Sequence, residues 1–457
     1  MAVTWPTEVW RDEIFQTLEQ AHRLAFGYGI VPWEFRTGIR SWLVPGLLAG
    51  VMKLAPESTG SRGVLFLVNV ALCFASLAPV ATAIAWARRA GIRAAWVAGL
   101  VCAIWFELVF FSSKALTEVF AGYALAAALL WTVRAREEKG RRPLLVAGAL
   151  LGLVLGLRFH LAPAALVAFW WACRDDWKRW GWMALGAGAV LLGFGLLDAV
   201  TWSWPFQSIL LNFWINVVEH KAESFGESPV WEYPVSLARV WGWGAIPLLV
   251  LGALGARRAP VLAWAALAIL VSHSFVSHKE YRFLFPLLVL VVLAAALGIV
   301  ELLRTRRRLG LLGALAFLFA SASGALRYDF RDMAPLAENA DKKEPMNVWT
   351  FRRGELEVMR LAGMQPDLCG LGIFVLGWGD TGGYTWLHRD VPFLEFRPEH
   401  PPERVLYANY AIGPRSLGES WGPYSVVRCE YDACLLKRPG GCSGQYDLNV
   451  ELARTGH

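Results

Sequence analysis

His278-Lys279-Glu280-Tyr281-Arg282-Phe283-Leu284-Phe285-Pro286 stands between two apolar runs, Ala259 to Val276 and Leu287 to Leu303. Each run has about the length of a membrane helix, so the nine residues read as a turn between two spans. Ionisable side chains at that boundary are costly unless something there uses them. The plain alternative is a solvated turn.

Apolar runs of spanning character recur on both sides of this turn. They fall near 62–87, 94–112, 115–133, 143–157, 161–173, 182–200, 238–256, 259–277, 283–303 and 309–325. Two of them, flanking Arg158 and His160, are short and suit a broken or re-entrant pair. The 457 residues are 56% hydrophobic and 18% charged, too apolar for an ordinary soluble enzyme. We therefore expect an all-α polytopic membrane protein with about ten or eleven transmembrane helices. The 24 tryptophans agree, since indole rings favour the membrane–water interface.

The net charge of +7 does not imply a nucleic-acid partner, because the basic residues lie in short runs between apolar segments. Arg88, Arg89 and Arg93 form one group, and Arg134, Arg136, Lys139, Arg141 and Arg142 the next. Arg174, Lys178 and Arg179 follow, then Arg257 and Arg258, then Arg304 to Arg308. These groups occupy alternate connections, the mark of cytoplasmic loops. Residues 1–61, the Lys114 region, the Arg158/His160 break, the loop 198–237, the His278 turn and the tail from 327 then face outward. Residues 1–61 must reach that side without a preceding span, so either the N-terminus is itself translocated or, as we rather expect, a further first helix lies upstream.

The organisation expected is therefore an external segment 1–61, a membrane bundle 62–326 and an external C-terminal domain 327–457. Ser41 to Ala55 suits a short helix lying at the interface. The tail, with Pro and Gly turns and strand-like patches such as Gly372 to Leu376, reads as a small mixed α/β domain. Its four cysteines, Cys369, Cys429, Cys434 and Cys442, lack zinc-ligand spacing, and one or two disulfides in an oxidising compartment are expected.

The cations Lys114, Arg158, Lys221, His278, Lys279 and Arg282 lie near the outer ends of spans, with Glu280 among them. Such groups suit a phosphate held at that depth. Near the N-terminus, Asp12 and Glu13 open a helical stretch; an acidic pair there also favours a helix N-terminus electrostatically. Trp33, Glu34, Arg40 and Trp42 follow in an aromatic, glycine-punctuated loop of the kind a sugar-binding cleft uses, although any interfacial loop uses it too. Carboxylates and cations on one face suit a transferase with a lipid-phosphate-linked donor.

Two blocks carry a resemblance. The first runs Asp12-Glu13-Ile14-Phe15-Gln16 through Glu19, Ala21-His22, Phe26-Gly27-Tyr28-Gly29, Trp33-Glu34 and Arg40-Ser41-Trp42-Leu43-Val44-Pro45; the second is His278 to Pro286. Together they resemble the polyprenyl- or dolichyl-phosphate-mannose-dependent mannosyltransferases of GT-C type, which include those of GPI-anchor and N-glycan assembly. The resemblance implies inverting transfer of mannose to a lipid-linked or envelope glycan, with Asp12 as base and Glu13 as its partner. It implies donor-phosphate contacts from His278, Lys279, Glu280 and Arg282, with Arg158, Lys114 and Lys221 behind them. Trp33, Glu34, Arg40 and Trp42 are expected on the acceptor side, and neither metal nor cofactor is expected.

Two departures stand out: no membrane helix precedes the acidic pair here, and Arg11 stands where a His-Pro pair is common. The Ala-, Gly- and Arg-rich composition leads us to expect a bacterial inner membrane with a periplasmic site, or the ER membrane in a eukaryote. A transporter or flippase of lipid-linked saccharides is one competing reading, and would place ionisable groups mid-span within internal repeats; a GT-C transferase of another sugar is the other.

Overall fold

The structure is a computed structural model that describes residues 7–335, 346–397, 400, 402–444 and 446–455. It divides into two compact units, Leu72–Asn347 and a second built from both ends of the chain, Met1–Ala71 with Val348–His457.

The first unit is helical, and every apolar run expected within it is a helix or helix pair. Six helices among the described residues are long and apolar enough to cross a membrane: Glu57–Ala90, Thr117–Glu137, Trp177–Thr201, Glu232–Ala256, Tyr281–Thr305 and Arg307–Arg327. Ile92–Ile104, Phe159–Cys173 and Pro260–Ser274 are apolar but shorter. Phe285–Thr305 is buried on nearly all sides, from Leu287 through Val300, as a helix apolar all round must be. Its contact with Ala245–Ala256 is a direct backbone approach. A Cβ on Gly298 would lie 2.0 Å from the Leu251 carbonyl oxygen, and one on Gly255 1.8 Å from that of Ala294. Small residues permit this closeness in membrane helices.

Within each set of connections, several members are joined to one another. Arg89 pairs with Glu137, and the Arg179 guanidinium donates to the Ala135 carbonyl, so the 88–93, 134–142 and 174–179 connections meet. Arg258 pairs with Glu301 at 2.5 Å, beside the 304–308 run. On the opposite set, Ser228 N–H donates to the Ser277 carbonyl at 2.9 Å, joining the loop 198–237 to the His278 turn. The turn is anchored inward by Tyr281, whose hydroxyl donates to the buried Glu107 carboxylate. Trp105 and Trp241 also donate to Glu107, at 2.8 and 2.9 Å. A buried carboxylate so supplied leaves little of its hydrogen-bonding capacity unmet.

In the second unit, the N-terminal part is helical over Arg11–Phe26, with a π-helical turn at Ile14–Leu18, and again at Trp33–Thr37 and Leu43–Met52. The last has ten residues, too short to span. The C-terminal part carries a six-stranded sheet with order β2-β1-β3-β6-β5-β4. The strands are β1 Leu371–Phe374, β2 Phe393–Phe396, β3 Tyr410–Pro414, β4 Ser420–Trp421, β5 Tyr424–Glu430 and β6 Ala433–Lys437. β2, β1 and β3 run parallel, and the remaining neighbours are antiparallel. Phe374, Leu394, Ala411, Tyr424 and Leu436 form its core. The four tail cysteines pair as Cys369–Cys442 and Cys429–Cys434. The patch at Gly372 to Leu376 is thus largely β1, at the heart of the sheet. That the N-terminal segment shares a unit with this domain was not legible in the sequence.

Candidate functional site

Asp12 and Glu13 fall in the first helical turn of the second unit, Asp12 half-buried and Glu13 buried. The π-helical turn follows at once, a rare local winding that concentrates at functional sites. Two residues on, Gln16 donates its amide to Glu34 at 2.8 Å. Burial pushes the Glu34 carboxyl up to about 7, and the charge of Asp12 adds to the rise against the pull of Arg40 and Gln16. Asp12, Glu34 and Arg40 therefore share one electrostatic neighbourhood. Glu34 and Trp33 lie on the helix Trp33–Thr37, and Trp42 packs edge-on against Phe35 at 4.9 Å.

The helical unit gathers the other expected residues around Glu118, in the first turn of Thr117–Glu137. Its carboxylate lies 2.5 Å from Arg158 Nη2 and 3.5 Å from Arg282 Nη1. Arg282 reaches back to Glu280 through Nε at 2.8 Å and Nη2 at 2.6 Å, a fork that only a guanidinium makes. His278 Nε2 lies 3.3 Å from Glu280 and its Nδ1 3.2 Å from the Gly226 carbonyl. Burial opposes charge on His278, but Glu280 and that carbonyl prevail, and its pKa is raised. Burial likewise opposes charge on Glu280, yet Arg282 and His278 hold it well below the usual carboxylate range. His278, Glu280, Arg282, Glu118 and Arg158 thus form, in that order, one continuous chain of ionisable groups.

The remaining expected residues are placed differently. The Lys279 ammonium donates to the carbonyls of Ser228 (2.8 Å) and Val276, stapling the turn. Lys114 is buried with its ammonium 5.1 Å from the Phe110 ring centre. Lys221 is exposed, 5.8 Å from the Phe225 ring, which in turn lies 6.1 Å from the His278 ring. Neither Glu118 nor His273 is among the site residues expected from the sequence. His273 is buried against His160, with ring centres 5.1 Å apart. Nor are Glu19 and His22, which the C-terminal domain engages.

A sequence model described as the Alg9-like mannosyltransferase family matches residues 1–331. Among curated proteins, the chain is 28% identical over 420 residues to GPI mannosyltransferase 3 of Yarrowia lipolytica, covering 87% of this chain and 75% of that one. It is 26% identical over 318 residues to GPI alpha-1,2-mannosyltransferase 3 of Danio rerio, covering 65% and 56%. The chain therefore spans three quarters of the first relative and little more than half of the second. Among solved structures, ArnT from Cupriavidus metallidurans bound to undecaprenyl phosphate shares the fold, with a TM-score of 0.59 at 14% identity over 97% of this chain and 95% of that one. The chain belongs to the Alg9-like mannosyltransferase family, and with it to the glycosyltransferases.

Proposed function

We propose that the protein is an integral-membrane inverting mannosyltransferase. It moves mannose from a polyprenyl-phosphate-mannose donor to a lipid-linked or envelope glycan on the non-cytoplasmic face. The observation that carries the reading is the pair of guanidiniums, Arg158 and Arg282, ordered by one buried carboxylate of Glu118. Fixed cations at a span boundary suit a lipid phosphate.

Asp12 takes the proton of the attacking acceptor hydroxyl. That oxygen bonds to the anomeric carbon as the bond from the same carbon to the phosphate oxygen breaks. Polyprenyl phosphate departs with the bonding electrons, and Arg158, Arg282 and His278 stabilise the charge developing on it. Glu13 is the partner of that base, while Trp33, Glu34, Arg40 and Trp42 meet the acceptor. Relatives named as GPI mannosyltransferases support mannose as the sugar. Two disulfides support an oxidising compartment, and we assign the site to the periplasmic face of a bacterial inner membrane.

Wild type and Asp12→Asn, each purified in lipid nanodiscs, are to be assayed with polyprenyl-phosphate-[14C]mannose and lipid-linked acceptors. Transfer by wild type alone supports the reading. Equal transfer by both removes Asp12 as base, and transfer only from another sugar donor removes mannose.

A further inference from the structure

The loop from Gly377 to His388, which follows β1, meets the acidic helix along its length. Arg11 donates Nε and Nη2 to Asp380 Oδ1 at 3.1 and 2.8 Å. Phe15 sits edge-on to Trp378 at 4.8 Å. Glu19, fully buried, accepts from Tyr384 N (3.0 Å), Thr385 N (2.9 Å) and Thr385 Oγ1 (2.7 Å), and from Ile30 N at 2.9 Å. His22 Nε2 faces His388 Nδ1 at 3.0 Å.

Contacts at 11, 15, 19 and 22 follow the spacing of one helix side. Gln16 instead turns to Glu34. The loop comes so close that Gly383 must be glycine. Its φ is +57°, and a Cβ there would lie 2.7 Å from Glu19 Oε2.

We infer that Glu19 is a positioning residue for the transfer reaction. It locks the helix bearing Asp12 onto the 383–385 turn, and the C-terminal domain thereby sets where the base stands. The inference rests on the assignment of Asp12 as base. Two carboxylate oxygens accept four donors here, an arrangement an amide cannot match, because its NH2 would face other donors. Glu19 lies about two helical turns beyond Asp12, so slippage at one is felt at the other.

The test uses the full chain in nanodiscs, comparing wild type, Glu19→Gln and Thr385→Ser by steady-state mannosyl transfer and by amide hydrogen exchange. Glu19→Gln is expected to lower kcat about 100-fold, the scale of an ångström misplacement, with the donor KM unchanged. Exchange should quicken in residues 11–18 and stay slow in Phe285–Thr305. Thr385→Ser keeps the hydroxyl and should match wild type. Unchanged kcat in Glu19→Gln overturns the inference, as does exchange that quickens throughout the sheet and bundle. A wild type that transfers no mannose refutes the transferase reading instead; exchange in 11–18 then still decides whether Glu19 holds the helix.

Discussion

Arg158 and Arg282 converge on the same oxygen of Glu118, at 2.5 and 3.5 Å, so one carboxylate orders both guanidiniums. Removing it leaves two buried cations facing each other. Glu118→Gln should therefore cost about 3–5 kcal/mol of stability, the usual penalty for breaking a buried pair, read as a lower melting temperature in detergent. Arg282→Lys keeps the charge but loses the fork to Glu280. Donor KM is expected to rise about tenfold, corresponding to about 1.4 kcal/mol; an unchanged KM would take Arg282 out of the phosphate site.

Glu34 gives up its proton as pH rises through about 7, placing a second negative charge near Asp12. The profile of kcat against pH should carry an inflection there, and Glu34→Gln should remove it. The folded-state pKa is raised, so the unfolded chain loses this proton first. Stability falls as pH climbs from the ordinary glutamate range to about 7, by about 1.4 kcal/mol per unit. Melting temperatures of wild type and Glu34→Gln between pH 5 and 8 test this directly.

The His22–His388 pair works in the opposite sense. Burial pulls His22 down to about 3, with His388 adding to the fall, and burial lowers His388 too. Unfolded histidines protonate near 6.5, so stability is lost as pH drops below that value, by about 1.4 kcal/mol per unit for His22, with His388 adding in the same direction. His22→Phe should flatten the acid limb of the stability profile. A slope as steep as that of wild type would show that the pair is not its source.

The two disulfides should differ in worth. Cys369–Cys442 closes a separation of 73 residues and Cys429–Cys434 one of 5. On the chain-entropy account, losing the first costs roughly 4 kcal/mol and losing the second roughly 2. Melting of the paired serine variants measures this, and mass spectrometry after alkylation without reductant should find all four thiols blocked.

The helical bundle was legible because a bilayer leaves the backbone few options. Apolar runs at that spacing have to be helices, and the arginine groups mark their alternate ends. That Arg158, Glu280 and Arg282 gather in one place was legible because charge within or beside apolar sequence has to be accounted for. The union of the two chain ends was not. Glu19 and Thr385 are 366 residues apart, and three of the four donors to Glu19 are backbone N–H groups. Every residue except proline offers such a donor, so no matching side chain betrays the pairing. The engagement of Lys279 by two carbonyls was hidden for the same reason.

The long reach of Glu19 also has a consequence for biosynthesis. Chains grow from the N-terminus, so the acidic helix is made before the membrane helices described here, while the turn that satisfies its buried carboxylate comes after them. Until residues 384 and 385 arrive, Glu19 lacks three of its four donors. The acidic helix is therefore completed after the described spans although it is synthesised before them, and a nascent chain stalled short of residue 384 would carry those spans yet no finished acidic helix.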